Sequence, residues 1–217
     1  MATPKSQRIG ILIILVVTII GTMGSFAVMI LNTKNTQQDD QRKQQLYAQY
    51  QKDSKDYQAK LDAQAKVLSK KYYPIFNQYA ARPAKFDLNS VKTLTKKDLR
   101  VGNGKTVTDS TEFAAYYIGW NPDGKVFDQS ISDGSLKSPI PVSGLKTASL
   151  IEGWKKGLVG MKIGGVRELT IPSDLAYGES GQGDDIPPNT PLKFIVMAID
   201  QPEPIPTPQV PQELLQQ

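Results

Sequence analysis

The chain changes texture three times along its length. Ile9 to Leu31 is an unbroken run of 23 uncharged residues, IGILIILVVTIIGTMGSFAVMIL. A bilayer crossing needs about 20 apolar residues, and a secretory leader has an apolar core of only about 7–15. The run therefore reads as a transmembrane helix over 9–31. Removal as a leader at Ser25-Phe26-Ala27 is the alternative. Residues 37–72 contain neither Gly nor Pro. In them Leu46, Tyr50, Tyr57, Leu61, Ala65, Leu68 and Tyr72 recur at spacings of 3, 4 or 7, which is helical periodicity. The pattern predicts a helix of about 30 residues with one weakly apolar face, ended by Pro74 and Pro83. It reads as a solvated stalk, with a dimeric coiled coil as the sharper alternative.

From about Phe86 short apolar runs alternate with turn signals. Val91–Leu94, Leu99–Val101, Phe113–Ile118, Val126–Phe127, Val166–Ile171 and Leu192–Ile199 read as strands of an antiparallel sheet. Between them lie Gly102-Asn103-Gly104 and Asn121-Pro122-Asp123-Gly124. Leu150, Ile151, Trp154 and Leu158 instead recur at helical spacing, so one short helix is expected to pack on the sheet. The fold class is α+β. The last stretch carries Pro202, Pro204, Pro206, Pro208 and Pro211, an extended composition expected to be disordered or to serve as a docking peptide. The expected organisation is a cytoplasmic N-terminus (1–8), a membrane helix (9–31), a helical stalk (32–82), the folded domain (83–200) and a Pro-rich disordered tail (201–217).

Charge and composition narrow the chemistry. The formal net charge is +5, but residues 83–200 carry fourteen basic and fourteen acidic side chains. The basic excess sits in the N-terminal segments, so the domain lacks the basic patch that nucleic-acid binding requires. Lys5 and Arg8 before the apolar run hold that end in the cytoplasm, which puts the rest of the chain on the far side. The 217 residues include no Cys and no His. That removes thiol chemistry, the commonest metal ligand and the commonest general base. Asp184-Asp185 is too small a cluster for a cation site. Gly119 to Val126 nearly spells a phosphate-binding loop, but Val126 replaces the required hydroxyl and the context is strand–turn–strand.

What remains is a set of aromatics: Tyr117, Phe127, Trp154, Tyr177 and Phe194. Taken singly each fits a core. Together with the loop Gly178–Pro188 they can line an apolar bowl, with Asp128, the two tyrosine hydroxyls and a backbone N–H near Ile151 as its polar groups.

These residues in this order resemble the FKBP-type peptidyl-prolyl cis-trans isomerases, over about Val91 to Asp200. Ala115-Tyr-Tyr-Ile-Gly119, Gly124-Lys-Val-Phe-Asp-Gln-Ser130, Leu150-Ile-Glu-Gly-Trp154, Ala176-Tyr-Gly178 and Ile186-Pro-Pro188 are similar to the family's motifs. The resemblance implies a bent antiparallel sheet wrapped around one short helix, and acceleration of X–Pro isomerisation. It implies catalytic roles for Tyr117, Asp128 and Tyr177, and substrate contacts from Phe127, Val142, Leu150, Ile151, Trp154, Ile186 and Phe194. No cofactor or metal is implied. The expected partners are unfolded or proline-containing polypeptides and macrolides of the FK506 and rapamycin kind. A membrane-anchored, bacterial member is expected, serving proteins that fold outside the cytoplasm. A non-catalytic proline-binding module and a tethered chaperone are the rival functions. The chain departs from the family at Gln182, Asp185 and Leu175. It also does so over Ser138–Val142, where Ile140 or Val142 stands for a pocket aromatic.

Overall fold

The computed structural model describes residues 36–215. The membrane helix expected over 9–31 lies outside them. No helix among the described residues is long and apolar enough to cross a membrane. The chain divides into two compact units. Among the described residues, one is Asp62–Pro204 and the other joins residues 36–61 with residues 205–215.

Helix α1 runs from Thr36 to Phe76, with Pro74 inside its last turns. The predicted stripe is its less exposed face, and buried Ser54 fills the gap between Tyr50 and Tyr57. In the second unit the described part of the tail carries a 3-10 turn at Gln212–Leu214 and no α-helix or strand. Pro206, Thr207 and Pro208 line a groove with Asp53, Asp56, Tyr57 and Lys60. Arg42 Nη2 meets Glu213 Oε1 at 2.9 Å, both side chains being well exposed, so the pair adds little stability.

The first unit is built on an antiparallel sheet. Its strands are β1 (Thr95–Arg100), β2 (Glu112–Trp120), β3 (Val126–Gln129), β6 (Ile140–Ser143), β7 (Val166–Ile171) and β8 (Leu192–Ile199). A small hairpin of β4 (Ile131–Ser132) and β5 (Ser135–Leu136) projects between β3 and β6. The order is β1-β7-β8-β2-β3, with β6 pairing the other half of β2. Val91–Leu94 is not a strand. β1 lies just beyond it in the polar run Thr-Lys-Lys-Asp-Leu-Arg, held by pairing with β7 rather than by its own apolar pattern.

β2 is buried on both faces along nearly its whole length, and the pleat sorts its side chains into two cores. Phe113, Ala115 and Tyr117 face one core, together with Leu169, Ile171, Phe194, Val196 and the short helix α2 (Glu152–Leu158). Ala114, Tyr116, Ile118 and Trp120 face the other, where Tyr72, Phe76 and Tyr79 cover them. The end of the segment expected as a stalk thus supplies core side chains.

Candidate active site

The bowl begins with a glycine. Gly119 sits on β2 opposite Asp128 of β3 and Phe194 of β8. A Cβ there would lie 2.6 Å from Phe194 Cε1 and 2.7 Å from Phe127 Cζ, so only glycine lets the two rings close over the strand. The rings then meet edge to face: Phe127–Phe194 at 5.6 Å and 80°, Trp154–Phe194 at 5.5 Å and 88°, Tyr117–Trp154 at 5.5 Å and 79°.

Trp154 is 3% exposed and comes from the first turn of α2. That helix lies close on β7 because its sheet-facing positions are Gly153 and Gly157. A Cβ on Gly153 would stand 2.3 Å from Ile171 Cγ2, and one on Gly157 2.8 Å from Leu169 Cδ1. The helix ends on Arg167, whose Nη1 donates to the Gly157 and Val159 carbonyls at 2.9 and 3.1 Å. A guanidinium suits these terminal carbonyls and the negative end of the helix. Its other edge pairs with the Asp98 carboxylate at 2.6 and 3.0 Å. Sequence reasoning passed over Arg167; a basic residue inside the strand Val-Arg-Glu-Leu-Thr-Ile was the available signal.

Tyr117 donates its hydroxyl hydrogen bond to Asp128 Oδ2. Ser130, which is buried, fixes this pair from behind. Its hydroxyl accepts from the Tyr117 N–H at 2.9 Å, and its own N–H donates to the Tyr117 carbonyl at 2.8 Å. Ile151 is the N-cap of α2 with extended backbone (φ −60°, ψ 147°). Its carbonyl accepts from Trp154 N–H, whereas its N–H donates to no group among the described residues.

The remaining expected residues gather at the same core. Ile186 and Val142 are buried in it, and Leu150, Ile151, Phe127 and Tyr177 are half-buried against it. Of the two residues that could replace the missing aromatic, Val142 is the buried one and Ile140 packs beside it. Tyr177 caps a 3-10 turn at Gly178–Ser180, and its carbonyl accepts from Gly181 N–H at 3.2 Å.

The rim carries a polar group that sequence reasoning did not single out. Asn121 is 6% exposed, and its Oδ1 accepts from Asp123 N–H and Lys125 N–H, each at 3.1 Å. An Asn before Pro-Asp-Gly is the turn signal that could have found it. Its Nδ2 donates to the Asp185 carbonyl at 3.0 Å. The Lys125 ammonium pairs with the Asp185 carboxylate. That hydrogen bond and charge raise the Lys125 pKa above its ordinary value.

The arrangement is an apolar cup with one oriented carboxylate and two N–H groups that have no partner among the described residues, the Ile151 backbone N–H and the buried Trp154 indole N–H. Among the described residues no cluster of His, Cys, Asp or Glu could hold a metal ion.

Comparison with known proteins places the chain in one family. The family model described as FKBP-type peptidyl-prolyl cis-trans isomerase matches residues 103–199. An FK506-binding protein of Neisseria meningitidis serogroup A is 39% identical over 104 residues, which is 48% of this chain and 92% of that protein. A probable FKBP-type peptidyl-prolyl cis-trans isomerase of Haemophilus influenzae is 38% identical over 99 residues, 46% of this chain and 39% of that one. A solved peptidyl-prolyl cis-trans isomerase of Pseudomonas syringae is 32% identical, covering 64% of this chain and 96% of its own, with a TM-score of 0.43. The chain belongs to the FKBP-type peptidyl-prolyl cis-trans isomerase family. It is an enzyme of that class, which turns the amide bond preceding proline.

Proposed function

We propose that the aromatic cup isomerises X–Pro bonds by favouring the twisted amide over the planar one. The observation that carries this reading is the pairing of an edge-to-face aromatic wall with a carboxylate held by Tyr117. Resonance gives the planar amide a charge-separated character and a barrier of roughly 18–20 kcal/mol. Twisting removes that character. A cup of apolar rings solvates the planar form poorly and the twisted form well, so it binds the transition state better than the ground state. Phe127, Trp154, Ile186 and Phe194 enclose the proline ring, with Val142 and Leu150 at its sides. The Ile151 N–H and the Tyr177 hydroxyl hold the carbonyl preceding proline. Asp128 acts through its field on the distorted carbonyl carbon. No proton moves, so a chain without histidine can perform every step.

The substrates are proline-containing segments of unfolded or partly folded chains. The same cup suits macrolides of the FK506 kind, which the name of the Neisseria relative attaches to that protein. The two tryptophans make binding readable. Trp154 lines the cup, and Trp120 belongs to the opposite core. In a Trp120→Phe variant, a proline peptide should shift the remaining fluorescence and exchange faster between its cis and trans NMR resonances. A shift without faster exchange would favour a binding module that does not turn its ligand over.

We further infer that the uncharged run over 9–31 anchors the chain in a bacterial cytoplasmic membrane, with the catalytic unit outside. Support comes from the length of the run and from Lys5 and Arg8 ahead of it. Protease added to intact cells should then degrade the catalytic unit. Full protection, with degradation only after lysis, would overturn this orientation.

A further inference from the structure

We propose that Asn121 and Lys125 are positioning residues that latch the loop Gly178–Pro188 in its substrate-binding arrangement; this rests on the isomerase reading above. The loop's own backbone bonds lie at its base and first turn, where Asn189 N–H donates to the Gly178 carbonyl at 2.7 Å and Gly181 N–H to the Tyr177 carbonyl at 3.2 Å. Gly178, Gly181 and Gly183 all lie in the left-handed region, at φ 54°, 64° and 59°. Three such glycines give it wide conformational freedom when unbound. Yet Ile186 within it is 4% exposed, buried in the core of the cup.

The hold is at the neighbouring residue. Asp185 is gripped twice, its carbonyl by Asn121 Nδ2 at 3.0 Å and its carboxylate by the Lys125 ammonium. On the other side of the loop, Gln182 N–H donates to the Ile186 carbonyl at 2.7 Å. Ile186 is therefore fixed from both directions.

Asn is the residue this place requires. Two backbone N–H donors, from Asp123 and Lys125, set its oxygen toward the turn, which leaves the NH2 for the loop. Aspartate could serve the turn but not the loop, and an aliphatic residue could serve neither. The turn runs directly into β3, which bears Phe127 and Asp128. One buried amide thus ties the wall carrying Asp128 to the wall carrying Ile186. Without it, substrate would have to order the loop on binding, and the entropy of doing so would be taken from affinity.

The test uses the full-length protein and three variants: Asn121→Asp, Lys125→Gln, and the exchange Lys125→Asp with Asp185→Lys. Amide hydrogen exchange over 178–188 and kcat/KM for a proline tetrapeptide are measured on each. Both single changes should speed exchange in the loop by roughly three- to tenfold, as loss of one hydrogen bond or one half-exposed ion pair implies. kcat/KM should fall by a similar factor, mainly through KM, with exchange in β2 and β8 unchanged. The exchanged pair should recover most of the loss, which a merely structural role of either residue would not produce. Lys125 is mostly exposed, so its variant keeps the test alive if Asn121→Asp does not fold. Unchanged loop exchange would overturn the latch. Faster loop exchange with unaltered kcat/KM would overturn its positioning role. Absence of acceleration by the wild-type chain would instead remove the isomerase reading and with it the kinetic role, while the exchange measurement still reads the latch by itself.

Discussion

Two tyrosines that are neighbours in sequence meet opposite conditions. Tyr117 points to the catalytic side and gives its hydroxyl to Asp128. Tyr116 points to the other core, fully buried, and its hydroxyl has no hydrogen-bond partner among the described residues. Burial pushes the Tyr116 pKa well above its ordinary value, with the neighbouring Tyr72 adding to the effect. An unpaired buried hydroxyl opposes folding, so Tyr116→Phe should raise stability by about 1 kcal/mol, read as a higher denaturation midpoint. Lys125 gives a second expectation. Its folded pKa is raised, so the ion pair with Asp185 is fully present below the unfolded lysine value of about 10.4 and is lost as pH rises through the folded one. The kinetic gap between wild type and Lys125→Gln should hold from pH 7 to 9 and close above about 10.4.

At the scale of the element, α2 is the part on which the cup depends most. It is seven residues long and could not be stable alone. Gly153 and Gly157 let it approach β7, and Arg167 closes its end. Replacing Arg167 by Met should cost about 2–3 kcal/mol, because two helix carbonyls and the Asp98 carboxylate lose their donor together. It should also lower activity by shifting Trp154. Chemical denaturation and an isomerisation assay would read the two effects. The apolar part of this site was legible from the sequence: the aromatics, the glycines and the short helix all lie where their spacing and motifs put them. The polar supports were not. Asn121 and Arg167 gain their roles only where the fold brings in Asp185 and Asp98 from far along the chain, and Ser130 only where the β2–β3 pairing sets it against Tyr117. For the same reason Leu99–Val101 marks only the end of β1, whose polar first residues are held by pairing with β7.

At the scale of the whole molecule, helix α1 serves two units. Its early part belongs with the proline-rich tail, and its last turns belong to the catalytic unit. The helical stripe from Leu46 to Tyr72 was readable, but nothing in it distinguishes a solvated face from one that covers a sheet. That distinction needs the outward residues of β2, which carry Tyr116, Ile118 and Trp120. A fragment starting at residue 83 should therefore be less stable than one starting at 62, by several kcal/mol. Burial of Tyr72, Phe76 and Tyr79 accounts for it, at roughly 1.5–3 kcal/mol each. Equal midpoints for the two fragments would mean that these side chains add nothing.

Catalysis in this cup rests on the field of an oriented carboxylate among apolar rings, with no proton moved. The most direct measurement is the cis-to-trans relaxation of a proline tetrapeptide with the full-length protein, for the wild type and for Asp128→Asn, which keeps the side-chain shape and removes the charge. The wild type should give clear acceleration, and the variant should lose roughly tenfold or more in kcat/KM. A wild-type chain that leaves the relaxation at its uncatalysed rate, or an Asp128→Asn chain as fast as the wild type, would contradict this mechanism.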